Sequence, residues 1–202
     1  DNAGTLTLEA LAWTNDTARA TAITLQDGIY CKDGTLTRRY LGTFRTTATT
    51  TTEDSAAKRF LWNMYNRVSR ALYKTDATAS WTYTTATWRQ ANGSTANQVA
   101  VVCGLNADAV RLIGHARFNN STAATAAQSG IGLDSTTTYA AGSVTDRMQN
   151  AASYSTGLKA SYAGVPGLGY HYLAAIEISA AAGTCTWSGS DQYFGLLGEC
   201  WA

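Results

Sequence analysis

One proline, two histidines and only 14% charged side chains in 202 residues define this sequence first by what it lacks. Fifteen Lys and Arg against fourteen Asp and Glu leave a formal net charge of +1. That removes the basic field that would hold a polyanion, so neither nucleic acid nor a membrane surface is expected as a partner. Apolar runs long enough to span a bilayer as a helix, about 20 residues, are missing as well. No charged-then-apolar leader precedes Asp1, and a start at Asp rather than Met is that of a processed or partial product. Cys31, Cys103, Cys185 and Cys200 show no C-x-x-C spacing, so no zinc or redox site, no metal and no cofactor is expected. Each sits in an apolar or strand-like context where a free thiol acts as a small hydrophobe, and buried free thiols are the expectation. Cys185 with Cys200, on two closing strands, is the pairing to expect if one forms.

What is present is Thr, Ser, Ala and Gly, with apolar residues in short alternating runs. That pattern favours strands, and 202 residues make one domain, 1–202, without a linker or a repeat. Strands are expected over 5–13, 20–25 and 29–32, with turns at Asp27-Gly28 and Asp33-Gly34. A strand over 38–46 places Tyr40 and Phe44 on one face, and the TTATTTT tract after it reads as a surface loop or exposed edge. Residues 55–73 fit both periods: Leu61, Met64, Val68 and Leu72 suit a helix that Asp54 or Ser55 would cap, while Phe60, Trp62 and Met64 alternate. Aromatic content favours the strand. Further strands are expected over 80–90, 97–105 and 110–118, the last as neighbour of the one before it, with Val110, Leu112, Gly114 and Ala116 on one face and Arg111, Ile113, His115 and Arg117 on the other. Residues 119–155 read as long surface loops around a short strand near Ile131 and Leu133. Two strands flank a turn at Pro166 within 157–180, and 183–189 and 194–202 close the sheet. On the order of ten strands make an all-β, antiparallel two-sheet β-sandwich, jelly-roll-like, with long surface loops.

Chemistry is sparse. No Gly-x-Ser-x-Gly surrounds a serine, and His115 and His171 are the only bases of their kind. His115 reads as a strand histidine and His171, between Tyr170 and Tyr172, as a packed one. Glu53 and Asp54 are adjacent, so in extended chain they face opposite ways and cannot flank one glycosidic bond. Glu177 and Glu199 fall on separate strands of unknown register, and a site built from the two lacks support. Asp27, Asp33 and Asp134 lack the spacing of a calcium loop. Gly164-x-x-Gly167-x-Gly169 is a turn rather than a phosphate cradle, since no strand-to-helix context follows. No catalytic residue is assigned.

The stretch from Arg38 to Lys74 holds the densest mixture of aromatic and basic residues. Overall neutrality argues against nucleic acid there, and aromatics with Arg are the residue types enriched at subunit contacts. Arg59, Phe60, Trp62, Tyr65 and Arg67 are therefore the candidate interface or core-rim residues. Trp88, Tyr170 and Tyr172 are candidates for a glycan-binding surface.

The segments YLGTFRTTATTTTEDSAAKRFLWNMYNRV (40–68), SWTYTTATWRQANGSTANQV (80–99) and GYHYLAAIE (169–177) resemble a family of tailed-bacteriophage structural proteins. Its members are described as tail-fibre-like, head-fibre or capsid decoration proteins. The similarity runs over nearly the whole chain, and the RTT…TTEDS…KRF…WN.YNRV block is its most specific part. The resemblance implies a non-enzymatic place on the virion surface, assembly in a bacterial cytoplasm, contact with other virion proteins, and a homo-oligomer, a trimer above all. It also implies that an N-terminal attachment segment is missing ahead of DNAGTLTLE. The alternative is a receptor-recognition domain of a tail fibre that binds host-surface glycan.

Overall fold

A computed structural model of the chain describes Gly4 and residues 6–202. The N-terminal quarter builds small sheets. β1 (Trp13–Asn15) pairs with β2 (Ala18–Arg19), and β3 (Ile23–Gln26), β4 (Ile29–Lys32) and β5 (Thr35–Arg39) form a meander. Its first turn is the Asp27-Gly28 dipeptide, with φ of 48° and 83°, across which Gln26 pairs with Ile29. Two central residues at positive φ are what a tight two-residue hairpin demands. β6 (Gly42–Phe44) follows, then the exposed hairpin of β7 (Thr46–Ala48) and β8 (Thr51–Thr52), the short β9 (Lys58–Arg59), and β10 (Leu61–Asn63), which returns to pair with β6. Arg19 fastens this region to the body: its Nη2 donates to Tyr40 Oη (2.9 Å), Thr43 Oγ1 (3.2 Å) and the Gly104 carbonyl (2.7 Å).

The body is an antiparallel β-sandwich. Its strands are β11 (Ser69–Thr75), β12 (Ser80–Thr82), β13 (Arg89–Gln90), β14 (Gln98–Cys103), β15 (Val110–Asn120), β16 (Ala126–Leu133), β17 (Ser143–Val144), β18 (Asp146–Gln149), β19 (Thr156–Gly164), β20 (Gly169–Ser179), β21 (Cys185–Ser188) and β22 (Gly195–Trp201). One sheet runs β11-β22-β15-β19-β17, with β21 continuing alongside β15 and β12 outside it; the other runs β18-β16-β20-β14-β9, with β13 beside β20. Leu112, Phe118, Leu158, Trp187 and Leu196 of the first sheet meet Val99, Val101, Ile131 and Leu173 of the second in one core. Each such side chain contributes about 1.5–3 kcal/mol by leaving water. The alternation along β15 is the expected one, with Val110, Leu112 and Ala116 inward and Arg111 and Ile113 outward.

Several expectations are corrected. Thr5 lies outside the described residues, and residues 6–12 of the expected first strand belong to no strand, with Leu6 and Leu8 almost fully exposed. Their alternation has no neighbouring backbone to pair with. The single strand over 38–46 breaks at Tyr40 and Leu41, because β5 belongs to the meander and β6 to β10; Tyr40 is buried while Phe44 is exposed. Residues 55–73 are extended, as preferred, but divide among β9, β10 and the start of β11, each with a different partner.

β15 is not the neighbour of β14: the two lie in opposite sheets, and residues 104–109 carry the chain across the sandwich. The short strand expected near Ile131 and Leu133 is present but longer: it begins at Ala126, inside the expected loop region, and forms an eight-residue interior strand over 126–133. The small residues that disguised it are a packing requirement. A Cβ on Gly132 would lie 2.2 Å from the Ser135 carbonyl oxygen, and one on Gly130 would lie 3.3 Å from Thr145 Cγ2. The four cysteines are buried and free. Cys185 and Cys200 face Asn120 and Val110 on β15, roughly 30 Å apart along that strand, far beyond disulfide reach.

Both sides of the sandwich are closed by the chain itself. On one, Ser143–Gln149 passes from the first sheet as β17 to the second as β18. On the other, Ala100 N donates to Ala57 O, Tyr73 N donates to Ala56 O, and the Arg59 guanidinium donates to Ala71 O. Strand edges that would otherwise invite another chain are thereby occupied.

Candidate functional site

The two outer faces of the sandwich are treated differently. Over the six-stranded sheet the chain folds back on itself. The 134–142 segment crosses β16 at Gly132, and Tyr170 is covered by Arg45, whose guanidinium lies 3.8 Å from the ring centroid, and by the edge of Phe60 at 5.8 Å. β14 is buried on both faces. The seven-stranded sheet is bare over the middle of its outer face; only at one end does the 189–193 segment reach it, Asp191 accepting from Thr75 Oγ1 at 2.6 Å and Tyr193 lying 4.5 Å from the Arg117 guanidinium. Register places Tyr73 opposite Leu197, Leu197 opposite Ile113, Ile113 opposite Ser161, and Ser161 opposite Val144. These side chains form a single row across five strands. Tyr73 is 45%, Leu197 48%, Ile113 54% and Val144 66% exposed. Tyr73, Leu197 and Ile113 form an apolar run that Ser161 separates from Val144, and exposed apolar side chains gathered in the middle of an open sheet face are the mark of a contact surface.

Charges flank that row. On one side Ala71, Glu199, Arg111 and Ala163 lie level with one another; on the other, Thr75, Gly195, His115 and Lys159 do. Arg111 and Glu199 are direct cross-strand partners, yet no ion pair joins them among the described residues. Glu199 accepts from Ser69 Oγ at 2.5 Å. Partial burial, with the Lys159 charge beside it, holds the His115 pKa below its ordinary value.

A strongly perturbed acid lies inside. Glu177 is 1% exposed and accepts from Trp81 Nε1 (3.1 and 2.9 Å), Arg89 Nε (2.9 Å) and the Asn92 backbone N–H (3.2 Å). Burial pushes its carboxyl up to about 7 against the pull of these donors and of the Arg89 charge. The cavity beside it measures about 10 Å³, room for about one water and too small for a sugar ring. Glu199 lies on the other sheet, so the two do not flank a common bond. Nearby, hydrogen bonds from Asn97, Asn92 and Thr78 outweigh burial at Asp76 and lower its pKa to about 2. His171 is packed, as expected, with Nδ1 2.7 Å from Asp134 Oδ2 and Nε2 3.3 Å from the Leu168 carbonyl.

Among the residues singled out in sequence, Trp62 is buried and donates from Nε1 to Asp108 (2.9 Å), which Arg67 also holds at 2.9 Å. Phe60 is buried against Tyr170, and Arg59 is spent on Ala71 O and Asp54. These four are core or core rim. Tyr65 is half exposed, beneath Arg39 at 4.2 Å. Trp88 meets Tyr139 edge-on at 6.0 Å. It precedes Arg89, which is level with Glu177 on β20, so Tyr170 stands roughly 20 Å further along that strand. Tyr172 sits near Tyr170, its N–H donating to Asp134. The three glycan candidates thus do not form one platform. Sequence reading missed Arg111 and Glu199 as a pair, although it placed Arg111 and Ile113 on one outward face.

No family model and no curated protein matches the chain. A solved structure, that of the infectious bursal disease virus Gx strain, aligns with 81% of this chain and 46% of its own at 12% identity and a TM-score of 0.23, too low to bear on fold or function.

Proposed function

We propose that the chain is a non-enzymatic structural protein of a bacteriophage particle surface, a capsid decoration, head-fibre or tail-fibre-like protein. It works by packing against copies of itself and against other virion proteins. The observation that carries this reading is the open seven-stranded face, with its exposed apolar residues Tyr73, Leu197, Ile113 and Val144. Low charge lets such faces approach closely, and the sequence resemblance to phage structural proteins points the same way. It also implies a trimer and a jelly-roll-like connectivity, both part of this proposal. Four free thiols suit assembly in a reducing bacterial cytoplasm.

Immunogold labelling of purified, intact particles of the encoding phage tests it. Regular decoration of the exterior is expected, at a site that separates head from tail. Chain present in infected-cell lysate but absent from purified particles sinks the proposal.

A further inference from the structure

We infer that the open face of the seven-stranded sheet binds the same face of a second copy, about a two-fold axis that runs along the strands between β15 and β22. This rests on the structural reading above and names the surface and partner through which it operates. A rotation of that kind exchanges β15 with β22 and keeps each residue at its own level along the strand. Arg111 of one copy then meets Glu199 of the other, twice over, and Leu197 meets Ile113, also twice. His115 faces Gly195, Lys159 faces Thr75 and the Asp191 carboxylate bonded to it, and Arg117 faces Ser188. Every charge on the face meets an opposite charge or a neutral residue, which is the self-complementarity an isologous contact requires. A two-fold axis turned to lie along the apolar row would instead set Arg111 over His115 and leave Glu199 over Gly195.

The cross-strand pair Arg111 and Glu199 is not joined by an ion pair within the chain, as described above, so both heads remain available to a second copy. Size is adequate. About this axis four strands overlap, β11, β22, β15 and β19, since β17 falls beyond β11; at about 4.8 Å each, with the outward positions 111 to 119 of β15 over about 27 Å, they give a flat extent of about 520 Å². Side-chain relief raises this toward the roughly 800 Å² per partner of a standard interface. Sheets stacked in this way cross at about 30°, so level matching is closest at β15 and β22, next to the axis. A two-fold contact makes pairs, whether of single chains or of the trimers that the phage resemblance implies.

Sedimentation velocity of the full chain, from about 1 to about 100 μM, tests the pairing. Concentration-dependent dimerisation is expected. Arg111→Glu and Glu199→Arg should each weaken it by about tenfold or more. Mixed one to one, these two variants should associate with each other, because each Glu then meets an Arg, and the double variant should pair with itself. Both positions face solvent, and circular dichroism melts check that the variants stay folded. Monomer at every concentration, association indifferent to both reversals, or a mixture that fails to pair overturns the inference. Labelling particles that carry the Arg111→Glu chain keeps the two readings apart: a chain that decorates particles yet never dimerises loses the pairing alone.

Discussion

Replacing Glu177 by Gln should change how stability depends on pH, in a direction opposite to that expected of a simple ion pair with Arg89. The carboxyl is raised from its ordinary 4.5 to about 7 in the folded chain. Below pH 4.5 both folded and unfolded states hold the proton and the group contributes no slope. Between about 4.5 and 7 the folded state keeps a proton that the unfolded state has released, so stability falls as pH rises; above 7 both states have lost it. At about 1.4 kcal/mol for each tenfold change in proton affinity, the loss across that window is about 3 kcal/mol. Gln copies the protonated acid in shape and keeps an acceptor for Trp81 Nε1, which lies 2.9 Å from the carboxylate, but it does not titrate. Arg89 retains the Tyr83 ring, 3.8 Å away, when its carboxylate partner is removed.

Urea unfolding of both proteins at pH 4.5, 5.5, 6.5 and 7.5 gives the comparison, and subtracting the two curves cancels Glu9, Glu53 and Asp76, whose lowered pKa values tilt stability the other way. The difference, wild type minus variant, should fall by about 3 kcal/mol over this range. A flat difference, or one that rises with pH, would refute the reasoning. It would mean that Arg89, Trp81 and Asn92 hold the carboxylate ionised despite its burial.

Trp62→Phe removes the indole N–H that Asp108 accepts at 2.9 Å and should cost about 1–3 kcal/mol, seen as a lower urea midpoint at unchanged slope. Gly132→Ala places a methyl 2.2 Å from the Ser135 carbonyl oxygen and 2.8 Å from that of Thr138; it should lower stability by at least about 2 kcal/mol, while Gly157→Ala, exposed and with only His115 Cε1 at 3.6 Å, should be nearly neutral. All four cysteines are buried, and burial pushes the Cys103 thiol up to about 12 and the Cys200 thiol up to about 11; closed off from solvent, none of the four should be labelled by a thiol reagent at pH 8 in the folded chain, and all four should be in urea. Labelling of the folded protein, or a mass short by the hydrogens of a disulfide, contradicts this.

Local rules made much of the chain legible. Asp27-Gly28 demanded a tight hairpin, the alternation of β15 sorted Leu112 from Arg111 and Ile113, and the glycines around Pro166 separated β19 from β20. Each rests on residues within a few positions of one another. The misreadings share the opposite property. β16 was legible only at its end, as a short strand near Ile131 and Leu133, because the Ala, Ser and Gly of its first half carry no periodic signal, and their smallness makes sense only against the segment that crosses them. β14 and β15 are sequence neighbours that join different sheets, since their inward faces must meet each other across the core.

The candidate surface divides in the same way. That Arg111, Ile113 and His115 share an outward face follows from the two-residue period of a strand. That Tyr73 and Leu197 continue the row, and that Glu199 stands beside Arg111, follows only from registers between strands up to about 130 residues apart. Glu177 is the sharpest case. A lone acid in YLAAIEIS announces a strand with one charged position, while its burial, its partners Trp81 and Arg89, and its raised pKa are set by how the distant 80–92 stretch closes over it. Composition and alternation decided that this chain is an all-β protein of low charge, because strand formation answers to near neighbours. Which faces are covered and which is left open was decided by tertiary packing, because burial is a property of the residues that arrive from elsewhere in the sequence.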